Sequence, residues 1–249
     1  MSATTFIVSN VNDNGPGSLR QAILHANAAP GEDLIQITAV GVLILLSPLP
    51  EISEAVTIEG PGAGLLAIDG GNNWRLLDVA AVPVTITALT LQNGQPATDA
   101  GGGLRSLGVL SLRQVHVLSN TSPTGGGGVY VAGPVSIEGG LFASNYSAGG
   151  VGGGLWATGP AVISGATFAN NRANGQGGGA HLSGGSQVSH GRFEQNRSLA
   201  SNGGGLYATG GTTLTNMQFH NNIAQTDGGG RSRLSWRVYR LCRKHSFCR

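Results

Sequence analysis

A glycine run returns through the second half of the chain at a nearly fixed interval. Its last glycine stands at Gly103, Gly128, Gly154, Gly179, Gly205 and Gly230, in steps of 25 or 26 residues. A period of this size marks a solenoid, in which each unit buries its apolar face only by stacking on the next. Counted from the last glycine, Leu104, Val129, Leu155, Ala180 and Leu206 share one position, and Leu112, Ile137, Ile163, Val188 and Leu214 another. Val117, Phe142, Phe168, Phe193 and Phe219 form a third apolar column, and Asn120, Asn145, Asn171, Asn196 and Asn222 a column of asparagine alone.

Segments such as 128–131 and 213–215 alternate with the period of a strand. Helix is disfavoured within the repeats, because each carries several glycines and few strong helix formers. A coil of two or three short strands, stacked in parallel at about 4.8 Å per coil, puts equivalent residues directly above one another. The phenylalanines then fill the interior, and the asparagines bond one another at a turn. The fold expected is all-β, a right-handed parallel β-helix.

The 43 glycines among 249 residues fit this reading. They lack the three-residue period of collagen, and the regular apolar columns set the chain apart from a flexible glycine-rich linker. Residues 1–33 read as an N-terminal cap. Phe6-Ile7-Val8 is a first strand, the turn-rich stretch 12–17 follows, and Ser18 caps a short helix over 19–28 with Gln21 at the capping-box position. This helix is expected to cover the open end of the solenoid. Residues 34–93 are irregular first coils, in which 42–46 reads as a buried strand. Residues 94–230 are the regular repeats.

The tail, residues 231–249, breaks the pattern. Arg231 stands where an apolar strand residue is due, and the tail holds the chain's one lysine and both cysteines, Cys242 and Cys248. Two readings stay open: a shifted reading frame, or a basic segment for an anionic surface. The formal charge of +2 comes from this tail, since residues 1–230 carry 7 Arg, no Lys and 12 Asp or Glu. A nucleic-acid-binding body is thereby disfavoured. No signal peptide or apolar stretch of transmembrane length is seen.

Among candidate sites, one column is chemically distinctive. Arg105, Tyr130, Trp156, His181 and Tyr207 stand two past the last glycine, between mostly apolar neighbours, so strand alternation turns them outward. Such a strip either stacks on glycan or a partner protein, or stiffens the sheet by stacking on itself. No catalytic pair emerges: Asp99, Glu138, Glu194 and Asp227 do not share columns, and Asp69 and Asp78 read as turn residues. His116, His181, His190 and His220 fall at different offsets, so no metal site is expected; Cys242, Cys248 and His245 make only a weak one. No cofactor is expected, since no lysine follows a glycine run in the body to make a phosphate loop. The sequons at Asn120, Asn145 and Asn196 belong to the asparagine ladder and read as structural.

Several stretches resemble a known group. Residues 12–23 look like the entry motif of bacterial secreted β-helix repeat proteins, and 49–52 and 56–62 like their first coils. Phe142-Ala143-Ser144-Asn145, Phe168-Ala169-Asn170-Asn171, Phe193-Glu194-Gln195-Asn196 and Phe219-His220-Asn221-Asn222 resemble the FxxN repeat of polymorphic outer membrane proteins. The glycine runs before Leu155, Ala180 and Leu206 resemble that family's GGA-type motif. The resemblance spans about residues 5–230 and implies a secreted or surface passenger linked to adhesion, with glycan or surface protein as partner. The family's export signal and C-terminal barrel are not seen in this sequence. The alternative is a polysaccharide lyase or glycoside hydrolase on the same scaffold.

Overall fold

The computed structural model describes residues 3–225 and the backbone of Arg231–Arg233. It is a parallel β-solenoid with one short helix. Four sheets run along its length: sheet I of nine strands, sheet II of eight, and sheets III and IV of six each. All strand pairs are parallel except that of Arg231–Arg233, which runs antiparallel to Ile223–Gln225. After every earlier glycine run the chain enters sheet III instead. Asp227, Gly230, Cys242, Cys248 and His245 lie outside the described residues, as does most of the tail.

The coil from Gly128 shows the repeat. Val129–Val131 lies in sheet III, Val135–Glu138 in sheet I, Leu141–Ala143 in sheet II, and Tyr146–Ser147 in sheet IV. Corners are made by left-handed backbone. Gly126 takes the first such position, with φ of 58°, Gly139 the second and Ser144 the third. The third corner uses Ser119, Asn170, Gln195 and Asn221 in the other coils, each immediately before a ladder asparagine. Only the earliest of the last three glycines needs a positive φ. The later two are needed for space: a Cβ on Gly127 would collide with the carbonyl of Gly153, and one on Gly154 would lie 2.7 Å from that of Gly179.

The interior is a single apolar column. Phe142, Phe168 and Phe193 are wholly buried. Ring centroids stand 4.7 Å apart from Phe142 to Phe168 and from Phe168 to Phe193, and 5.2 Å from Phe193 to Phe219, all stacked. Beside them the amides form a ladder. Asn145 donates from both N and Nδ2 to Oδ1 of Asn171, at 3.0 and 2.9 Å. Its Nδ2 also donates to the Val117 carbonyl of the preceding coil, at 2.8 Å. Asn120, Asn171 and Asn196 repeat the arrangement, and Asn222 donates to the Phe193 carbonyl.

At the N-terminal end, helix α1 runs from Leu19 to Ala28 and buries Leu19, Ala22, Ile23 and Ala26 against the first strands. Ser18 Oγ accepts from the Gln21 backbone N–H at 3.3 Å. The return bond differs from a standard capping box, since Gln21 Oε1 accepts from Gly17 N at 3.0 Å. Residues 42–46 are not a fully buried strand. Gly41–Ile44 is the outermost strand of sheet II, with Leu43 and Leu45 buried and Val42, Ile44 and Leu46 exposed.

Candidate functional site on the outer face of sheet III

Strand pairing in sheet III sets one outer row. Asp78 pairs with Arg105, Arg105 with Tyr130, Tyr130 with Trp156, Trp156 with His181, and His181 with Tyr207. The isolated bridge between Ile52 and Val79 places Glu51 beside Asp78 at the start of the row. From Leu77–Val79 to Ala180–Leu182 the residues on either side of the row are buried, and this alternation holds the row on the outside.

The row has two halves. The first is ionic. Asp78 grips Arg105 side-on, accepting from Nε at 2.8 Å and from Nη2 at 3.0 Å. Asp99 Oδ2 lies 3.2 Å from Arg105 Nη1, and Glu51 Oε1 lies 3.9 Å from Nη2. Arg75 closes the network, donating from Nη1 to Asp78 at 2.9 Å and from Nε and Nη2 to the carbonyls of Gly101 and Ala100. The hydrogen bond to Asp78 raises the Arg105 pKa, and the charges of Asp78, Asp99 and Glu51 reinforce it against the opposing effect of burial. Arg105 is therefore a fixed cation and not a base. Asp78 is three-quarters covered, whereas Asp99 and Glu51 are 50% and 51% exposed; Asp99 Oδ1 also accepts from Ala100 N at 2.8 Å.

The second half is aromatic. Tyr130 and Trp156 have centroids 4.7 Å apart, and His181 and Tyr207 4.9 Å apart, both pairs tilted. The Trp156 ring lies over Gly125 of the preceding coil, where a Cβ would approach it to 2.5 Å. His181 is 9% exposed, more buried than an outward strand position suggests. Its Nε2 lies 3.1 Å from Ser183 Oγ and its Nδ1 has no hydrogen-bond partner. Burial lowers its pKa, which favours the neutral ring at pH 7.

The expectation that no carboxylates converge is thus corrected: Glu51, Asp78 and Asp99 meet around two guanidiniums. Asp78 is a strand residue, not a turn residue, while Asp69 does serve a turn by accepting from Gly71 N at 2.8 Å. The missed signal was Leu77-Asp78-Val79, which repeats the apolar–X–apolar form of Val129-Tyr130-Val131. Among the described residues no group of His, Cys, Asp or Glu is arranged to hold a metal ion. No helix among them is long and apolar enough to cross a membrane.

The chain is similar to fungal probable pectate lyases. It is 33% identical over 101 residues to probable pectate lyase C of Neosartorya fischeri, covering 39% of this chain and 22% of that protein. The match to probable pectate lyase C of Aspergillus fumigatus has the same extent. The chain thus spans about a fifth of the length of these curated relatives, 22%. No protein-family model matches. The resemblance to polymorphic outer membrane proteins, with its bacterial source, gains no support from these comparisons.

Proposed function

We propose that this chain is the β-helical part of a polysaccharide-active protein, of the polysaccharide lyase or glycoside hydrolase kind, with the outer row of sheet III facing the sugar. The similarity to probable pectate lyases, on a parallel β-helix where two half-exposed carboxylates gather around Arg105, is what carries this reading. Glu51 and Asp99 flank Arg105, and a pair of carboxyl groups is the acid–base equipment of glycoside hydrolysis. Arg105, held protonated by Asp78, orients the carboxylates around it. Tyr130, Trp156, His181 and Tyr207 extend the row as ring faces for further sugar units.

The test is incubation with polygalacturonate plus calcium, and separately with neutral polysaccharides, following unsaturated uronate absorbance and new reducing ends. Product that disappears in Glu51→Gln or Asp99→Asn supports the reading and assigns it to this row. A second reading, a non-catalytic adhesin, is favoured by the run of ring-bearing side chains that sheet III sets in one outer row. It predicts no product, with glycan binding that is lost when Tyr130, Trp156 and Tyr207 become Ser.

A further inference from the structure

We infer that the sheet III row selects an uncharged, hydroxyl-rich glycan and not a polyuronate; this rests on the sugar-facing role proposed above, takes its glycoside hydrolase branch over the lyase one, and goes on to name the ligand class. The first ground is local charge. Three carboxylates, Glu51, Asp78 and Asp99, surround two guanidiniums, leaving the network one negative charge in excess. Both arginines are committed: Arg105 to these carboxylates, Arg75 to Asp78 and two backbone carbonyls. Further along the row His181 adds a neutral ring, not a cation.

The second ground is the body of the molecule. Residues 1–230 contain 7 Arg, no Lys and 12 Asp or Glu. Arg113 and Arg192 lie beside Glu138 and Glu194, and Arg172 lies over the Tyr146 ring, all away from the row. At the row and over residues 1–230 a polyuronate would meet a field of its own sign, the basic residues of the chain being gathered in the tail 231–249. A neutral sugar meets the chemistry it needs. The half-exposed carboxylates of Glu51 and Asp99 can each accept a sugar hydroxyl in a charge-assisted bond. One and two coils on, at about 4.8 Å per coil, Tyr130 and Trp156 offer apolar faces to the C–H side of a sugar ring.

The experiment is affinity electrophoresis and calorimetry of the whole chain against neutral glucan, xylan and galactan, and against polygalacturonate with calcium and with chelator. A neutral glycan is expected to bind, with an affinity unchanged between low and high salt. Asp99→Asn and Glu51→Gln are each expected to weaken it about tenfold. Both are isosteric changes at half-exposed positions, and an unchanged melting temperature will separate a lost contact from a lost fold. Binding to polygalacturonate as tight or tighter, weakened by salt and lost in Arg105→Gln, overturns the inference and leaves the row a sugar site. Neutral-glycan binding that ignores both carboxylate variants also overturns it. Absence of binding and of cleavage with every polysaccharide sinks the sugar-facing role itself.

Discussion

The inner ladder asparagines, Asn145, Asn171 and Asn196, each use the whole side-chain amide: Oδ1 takes two donors and Nδ2 gives two hydrogens. Truncating one would orphan buried groups in both neighbouring coils, each costing about 1–3 kcal/mol. That density of satisfaction explains why no other residue stands in the column. Histidine behaves oppositely. Burial lowers the pKa of His116 and His181 in the folded chain. The unfolded chain then binds more protons as the pH falls, so their contribution is full above about pH 6.5 and is lost as pH drops through the folded pKa. The groups against His181 are Trp156, Tyr207 and Ser183, none of which supplies a compensating charge. The urea midpoint should therefore fall from about pH 7.5 to about pH 5, and fall less in His181→Phe, which keeps the ring stack. An equal fall in both proteins would show that His181 is not a source of the pH dependence.

Elements in this fold are short, two to five residues for most strands, and owe their position to corners and registers more than to propensity. The regular coils were legible in the sequence because corner, apolar and amide positions recur together. The first coils were not, because no glycine run marks their phase. Hence residues 42–46 read as buried although they alternate at a sheet edge, where outward side chains have no neighbouring coil to cover them. Hence also Asp78 and Glu51 escaped the search for paired carboxylates, while Arg105, Tyr130, Trp156, His181 and Tyr207 were found as a column. Helix α1 was legible from its cap and apolar face. Ser18→Ala removes the acceptor for Gln21 N and should destabilise the chain by about 1 kcal/mol. A denaturation midpoint unchanged by this substitution would mean the cap is redundant with the Gln21–Gly17 bond.

The whole molecule is a stack in which each coil touches its neighbours, so its stability is close to a sum of repeats and interfaces. Deleting residues 129–154, one complete 26-residue coil, brings Leu155 into register with Leu104 and Asn171 with Asn120. The shortened chain should keep its β-sheet circular dichroism and unfold at a lower denaturant concentration. Collapse to an unfolded chain would show that the repeats are not interchangeable. The same geometry bears on how such a rod changes over time. Whole coils can be gained or lost as modules without disturbing the interior, but one inserted after Arg105 would carry Tyr130 and Trp156 one step of about 4.8 Å away from the arginine network. The spacing between the ionic and aromatic halves acts as a ruler, and its graduations are whole repeats.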